Sequence, residues 1–156
     1  MDLPTLRLSP KNQVTLLKGA RALVQAEEEG YVCGRIHTML KPGTDQAFRV
    51  VVLMSESQLE ALEDRLREQY AGEPVRAEAA IARLNGSVHR MNLDAQRRIV
   101  LPQHFVSYLG LERDVFMYST NRSVMVWKPE DYAAYVADEP EEDSDAAYQA
   151  PPVPMV

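Results

Sequence analysis

The sequence has few of the residue types that stabilise small secreted domains or build metal centres. Its 156 residues include one cysteine, Cys33, and three histidines. A single cysteine excludes an intramolecular disulfide and fits a reducing compartment. Zinc needs three or four ligands, and no second cysteine or histidine pair accompanies Cys33 and His37. We therefore expect no metal site, no cofactor and no disulfide framework.

Long apolar runs are also missing from the chain. No stretch approaches the roughly 18 apolar residues of a transmembrane helix, and residues 1–5 lack the basic and apolar regions of a secretory signal. A cytoplasmic protein with no membrane partner is expected. The chain also lacks a Ser/His/Asp set, a glycine-rich phosphate loop and a paired carboxylate array. The sequence thus predicts a protein that is not an enzyme, with no catalytic residue and no small-molecule substrate.

The net charge of −6 is concentrated at one end of the chain. Residues 137–156 carry six Asp and Glu and no Lys or Arg, so the remaining 17 acids equal the 17 cations of residues 1–136. This acidic, Pro-rich tail has little apolar surface, and we expect it to be disordered. Its charge either solubilises the protein, screens a basic surface or recruits a partner. The negative total therefore does not exclude nucleic-acid binding by a neutral body.

Two stretches of the body concentrate positive charge. Residues 7–21 hold Arg7, Lys11, Lys18 and Arg21 with no acid, and residues 83–104 hold four arginines against one aspartate. Local basic patches of this kind are the electrostatic signature of nucleic-acid binding. The first patch has a plainer interpretation as an exposed face balanced by the nearby glutamates of residues 27–29.

Residues 91–102 form the most informative pattern, which predicts a strand, a tight turn, a second strand and a proline-initiated helix. The turn contains Arg97 and Arg98. Arginine presents a bidentate fork to guanine edges or phosphates, which favours a DNA contact. Alternatively, Arg98 only pairs with Asp94 on a solvated turn. For Asp94 itself we predict a structural role in which its carboxylate accepts bonds from turn amides.

An earlier segment repeats this arrangement at an offset of 85 residues. Leu8 aligns with Leu93, Val14 with Ile99 and Leu16 with Leu101. The order strand, turn, strand, helix, hairpin, helix also occurs twice. Such a duplication in a short chain predicts two lobes related by a pseudo-twofold axis.

Two helices are predicted between the copies. Ser55 with Gln58 has the pattern of a helix-capping box, and Pro74 is placed to begin a second helix. The predicted organisation is a first unit over residues 1–54, a helical connection over 55–86, a second unit over 87–136 and the tail over 137–156. A further helix is expected over residues 18–29, before the possible stop at Gly30.

The second copy resembles the C-terminal half of the MraZ family of bacterial transcriptional regulators. The matching motif is Asp94-x-x-x-Arg98-x-x-Leu101-Pro102, Gly110-Leu111-x-x-Asp114-Val115 and Val126-Trp127. The resemblance implies an α+β fold in which two tandem AbrB-like swapped-hairpin units form a pseudo-twofold small β-barrel with flanking helices. It also implies a ring-like homo-oligomer that binds double-stranded DNA at repeated promoter elements. Such a protein would be cytoplasmic and nucleoid-associated, and it would act as a repressor by occluding the promoter.

The chain departs from the family pattern in both copies. Arg97 occupies a position where the family has glycine, which implies strain if that residue needs a positive φ. In the first copy, Ser9, Asn12 and Gln13 replace the family's Asp, Gly and Arg. Asn12 tolerates a left-handed conformation and Ser9 is able to cap the turn, so the shape can survive. The replaced arginine removes the key cation.

These arguments predict a sequence-specific DNA-binding regulator with two classes of site residue. The turn-structuring residues are Asp94, Ser9 and Asn12. The DNA-binding residues are Arg97, Arg98, Arg90, Lys11, Arg7, Lys18 and Arg21. Because the first turn is degenerate, an AbrB-type protein-interaction module, such as an antitoxin or adaptor with little DNA contact, is the alternative.

Overall fold

The structure is a computed structural model that describes residues 3–137. The predicted tail lies outside the described residues apart from Ala137. Within them the chain forms eight β-strands and five α-helices, which confirms the α+β fold class. None of these helices has the length and apolar character needed to cross a membrane.

Most strands belong to one antiparallel sheet of six strands. They are β1 (Leu6–Arg7), β3 (Tyr31–Leu40), β4 (Ala47–Met54), β5 (His89–Asn92), β7 (Asp114–Ser119) and β8 (Val124–Trp127). Their spatial order is β1-β7-β8-β4-β3-β5. The two remaining strands, β2 (Gln13–Thr15) and β6 (Arg98–Val100), pair only with each other. We call this two-stranded unit the ribbon.

The sheet divides the core into two clusters, one on each face. Because side chains alternate along a strand, β4 sends Val51 and Leu53 to one cluster and Val50 and Val52 to the other. The first cluster also contains the inward side chains of the ribbon. The second contains Trp127, which is fully buried.

The helices cover both faces. They are α1 (Val24–Glu29), α2 (Glu56–Gln69), α3 (Pro74–Gly86), α4 (Gln103–Leu109) and α5 (Pro129–Val136). The predicted cap of α2 is present, because the backbone N–H of Gln58 donates to Ser55 Oγ over 3.1 Å. Leu59 and Leu62 of this helix are buried in the second cluster.

The helix predicted over residues 18–29 is shorter than expected. Gly19 has a φ of +74°, outside the helical region, and Ala20 is extended. A 3₁₀ turn at Arg21–Leu23 therefore precedes α1. The predicted stop is correct, since Gly30 adopts a left-handed conformation and its N–H donates to the carbonyl of Ala26.

The ribbon joins the two copies of the repeated segment through equivalent positions. Val14 lies opposite Ile99, its counterpart at the offset of 85 residues. The N–H of Leu16 donates to the carbonyl of Arg97, and the N–H of Leu101 donates to that of Asn12, both over 2.8 Å. Each copy thus makes the same backbone bonds to the other, around a local pseudo-twofold axis at Val14 and Ile99.

Candidate nucleic-acid interface

The turn before β6 is organised by the carboxylate of Asp94. Its Oδ1 accepts hydrogen bonds from the backbone N–H groups of Gln96 and Arg98, both over 2.9 Å. Its Oδ2 accepts a bond of 2.8 Å from Arg98 Nε. Hydrogen bonds from the backbone and side chain of Arg98, together with the bond from the backbone of Gln96, hold the pKa of Asp94 below its usual value. We call residues 94–98 the C-terminal turn.

The turn before β2 has the same backbone geometry with different side chains. Ser9 Oγ accepts bonds from the N–H groups of Lys11, over 3.2 Å, and Gln13, over 3.0 Å. Asn12 has a φ of 63°, and Arg97 at the equivalent position has a φ of 64°. We call residues 9–13 the N-terminal turn. The two turns share a shape although only the second contains the Asp and Arg of the family pattern.

The side chain of Arg97 is directed into the protein. It is only 23% exposed, and its guanidinium pairs with Glu27 of α1 and donates to the carbonyl oxygen of Leu17. The positive φ of Arg97 is strained for a residue other than glycine. The contacts with Glu27 and Leu17 offset that cost and tie the C-terminal turn to the first copy.

Arg98 and Arg90 are both paired within the chain. The side chain of Arg98 remains 40% exposed beside Asp94. Arg90 donates from Nε and Nη2 to the two carboxylate oxygens of Glu56, over 2.9 and 3.0 Å. Glu56 also accepts a bond of 2.9 Å from the hydroxyl of Tyr31. The hydrogen bond from Arg90 is the main cause that lowers the pKa of Glu56, so Arg90 anchors the start of α2.

The four basic residues of the first copy lie at the surface. Arg7 Nε is 3.7 Å from Asp114 in an exposed pair. Lys11, Lys18 and Arg21 are exposed, and within residues 3–137 no ion pair engages them. Lys11 lies on the N-terminal turn, while Lys18 and Arg21 follow β2. These cations are therefore available to an external anion.

The ribbon has one buried face and one outward face. Val14 and Ile99 are buried at 3% and 1% exposure. The outward face carries Gln13, Thr15, Arg98 and Val100, of which Val100 is 53% exposed. We did not select Thr15 or Val100 from the sequence. The alternation of side-chain direction along a strand is the signal that identifies them. If Val14 and Ile99 point into the core, the residues before and after each of them point to the opposite face.

Burial determines the protonation states of Cys33 and His37. Within the described part of the chain, no cluster of three or more His, Cys, Asp or Glu side chains could hold a metal ion. Burial raises the pKa of the Cys33 thiol to about 12, which keeps it protonated and unreactive. Burial also lowers the pKa of His37 to about 4.

Comparisons with known proteins connect the C-terminal part of the chain to one family. Residues 86–150 match the sequence model of the family described as "MraZ protein, putative antitoxin-like". A curated relative, the transcriptional regulator MraZ of Acetivibrio thermocellus, is 37% identical over 49 residues. That alignment covers 31% of this chain and 34% of the relative, so it spans about a third of the relative's length. The resemblance carried by the second motif is thereby confirmed.

Proposed function

From its membership of the MraZ family, carried by residues 86–150, we propose that the chain is a transcriptional regulator that binds double-stranded DNA through the ribbon. The observation that carries this proposal is the outward ribbon face. Gln13, Thr15, Arg98 and Val100 project from two paired strands whose opposite face is buried. A rigid scaffold therefore presents polar, cationic and apolar side chains together.

The dimensions and chemistry of this face suit the major groove of DNA. The groove is about 12 Å wide and admits a two-stranded β-ribbon. Arginine is the commonest specific partner of guanine, and glutamine binds adenine through two bonds. In this arrangement Arg98 and Gln13 read bases, while Thr15 and Val100 contact thymine methyl groups. Asp94 engages Arg98 through Nε and orients the guanidinium without using its Nη donors.

The exposed cations supply the phosphate contacts. Lys11, Lys18 and Arg21 flank the ribbon, and Arg7 is held only by an exposed pair at 3.7 Å. An exposed ion pair contributes little free energy, so exchange of Asp114 for a phosphate costs Arg7 little. These residues position the protein on DNA, and the ribbon face provides the sequence preference.

Arg97 and Arg90 take a different role in this proposal from the one expected from the sequence. Both side chains are committed to internal carboxylates, Glu27 and Glu56 respectively. We assign them as positioning residues. Arg97 secures the C-terminal turn, and Arg90 fixes α2 on the sheet.

The equivalent bonds of the two copies support an arrangement of two AbrB-like swapped-hairpin units in one chain. One ribbon neutralises few phosphates, so a single protomer binds weakly. A homo-oligomer on repeated promoter elements multiplies that affinity through effective concentration. A ring-like, cytoplasmic and nucleoid-associated assembly that represses by occlusion completes the proposal.

A binding titration with matched variants tests this function. Full-length protein is titrated against duplexes selected from a random pool, at several salt concentrations. Arg98→Ala should weaken binding to the selected duplex by about tenfold or more and relax its preference, since a bidentate base contact contributes about 1–3 kcal/mol. Lys11→Ala should weaken all duplexes equally and reduce the salt dependence by about one ion. The control Arg67→Ala alters an exposed arginine of α2 and should bind as the parent does.

Two results would overturn the proposal. If Arg98→Ala binds selected duplexes as tightly as the parent, the ribbon is not the interface. If the parent shows no salt-dependent binding to any duplex, the alternative of an AbrB-type protein-interaction module is favoured. Circular dichroism of each variant verifies that the fold is retained.

A further inference from the structure

A groove runs between β3 and the helical pair α2–α3, on the side of the second core cluster. Its apolar lining comes from Leu62, Leu66 and Leu84. Two arginines, Arg35 of β3 and Arg83 of α3, also line it. No lining residue within the described part of the chain is acidic.

The described lining of the groove is therefore positively charged at neutral pH. Burial lowers the pKa of Arg35, but an arginine stays protonated over the physiological range. His37 also lines the groove and is neutral there, because burial and the charge of Arg35 lower its pKa to about 4. Two guanidinium groups in one groove favour a carboxylate-bearing occupant.

The described chain ends close to one end of β3. Tyr135 of α5 packs against Phe48 and Trp127, and Lys41 Nζ donates to the carbonyl oxygen of Ala134 over 3.0 Å. Ala137 follows directly after α5. Lys41 directly follows β3 and is six residues from Arg35. At about 3.3 Å per residue of strand, the backbone distance between them is about 20 Å.

The segment that follows has the length and charge to reach the groove. An extended chain advances about 3.3–3.6 Å per residue, so six residues after Ala137 span about 20 Å. Five of those six residues are acidic: Asp138, Glu139, Glu141, Glu142 and Asp143. The carboxylates thus fall within reach of Arg35, which lines the groove together with Arg83.

We propose that the acidic segment 138–145 docks in this groove of its own chain, with its carboxylates paired to Arg35 and Arg83. The docked segment covers Leu66 and holds the α2–α3 pair against β3. The groove and the ribbon lie on opposite faces of the sheet, because Leu62 and Leu84 belong to one core cluster and Val14 and Ile99 to the other. Docking therefore keeps six negative charges away from the ribbon.

A distance measurement within the full-length chain tests this proposal. Spin labels are attached to Ala79→Cys on α3 and Ser144→Cys in the acidic segment, while the buried native Cys33 stays unlabelled. Pulsed electron paramagnetic resonance should show a short, narrow distance component in the parent. Arg35→Gln/Arg83→Gln should lose most of that component. Arg67→Gln on α2, outside the groove lining, is the matched control and should retain it.

A second variant keeps the test valid if the double substitution does not fold. Replacement of the six tail acids by Asn and Gln changes no described residue and should abolish the short component equally. A short component that survives in both variants, or a broad distribution in the parent, refutes the docking. Loss of the component on dilution with unlabelled protein also refutes it, since the segment then occupies another copy. The measurement uses no DNA, so its outcome is independent of the proposed DNA binding.

Discussion

The N-terminal and C-terminal turns reach one backbone shape by two chemical routes. In the first, the hydroxyl of Ser9 accepts two backbone N–H groups, and Asn12 occupies the left-handed position. In the second, the carboxylate of Asp94 accepts two backbone N–H groups and a guanidinium N–H, and Arg97 occupies that position. The shape therefore persists when every residue that defines it in the family motif is substituted, as long as an acceptor remains and the fourth residue of the turn adopts a positive φ.

The difference between the turns lies in what they present to solvent. The N-terminal turn leads into Gln13 and the C-terminal turn into Arg98, at diagonally opposite positions of the ribbon. The backbone of the ribbon is thus nearly symmetric, but one end presents an amide side chain and the other a guanidinium. Under the proposed function, this asymmetry predicts a non-palindromic element for each protomer.

The largest expected effect tests whether the two copies support the ribbon equally. Ile99→Ala should lower the free energy of unfolding by about 2–4 kcal/mol, because it leaves a cavity beneath the pseudo-twofold axis. Val14→Ala should cost less, since it removes fewer buried methyl and methylene groups. Chemical denaturation measures both. Val100→Ala, on the exposed face, is the control and should stay within about 0.5 kcal/mol.

The next effect separates the strain at Arg97 from its contacts. Arg97→Ala should destabilise by about 1–2 kcal/mol, because the positive φ remains while the contacts with Glu27 and Leu17 are lost. Arg97→Gly should cost less, since glycine removes the strain. Equal losses in the two variants, measured by urea denaturation, would show that backbone strain contributes nothing here.

The acceptors of the two turns should respond differently to pH. The lowered pKa of Asp94 means that its contribution to stability is fully present above 3.8, the ordinary value for aspartate. That contribution is lost as the pH falls through the lower value of the folded state. The stability difference between the parent and Asp94→Asn should therefore shrink under acid. The difference between the parent and Ser9→Ala should not change with pH, because a hydroxyl does not titrate there.

The smallest expected effect concerns Asn12. Asparagine is a tolerated residue at a positive φ, so Asn12→Gly should change the free energy of unfolding by less than about 0.5 kcal/mol. Its bond from Nδ2 to Gln103 Oε1 is exposed and contributes little. A loss as large as that of Arg97→Ala would show that the left-handed positions of the two turns are not equivalent in energy.

Local features of this fold were predictable because neighbouring residues determine them. The cap at Ser55, the helix stop at Gly30 and the α+β class follow from short-range patterns. The inward direction of Arg97 was not predictable in this way. Its partners Leu17 and Glu27 lie 80 and 70 residues away, and only the folded chain brings them together.

The start of α1 and the outward ribbon face illustrate two other limits. A helical pattern continued through Gly19, whose positive φ depends on the path of the chain from β2. The sequence pattern identifies Gln13 only as the position where the family's arginine is missing. Its position beside Arg98 and Val100 became evident once the register of β2 against β6 was known.

The reciprocal bonds of the ribbon also determine when this surface exists. The N–H of Leu16 donates to the carbonyl of Arg97, and the N–H of Leu101 donates to that of Asn12. Neither strand therefore completes its backbone pairing until residues about 85 positions apart in the sequence have met. Closing so long a loop costs entropy and slows folding relative to local contacts. During synthesis, β2 therefore has no partner strand until almost two thirds of the chain has been made. The outward face is therefore a late product of folding, absent from any nascent chain that ends before β6.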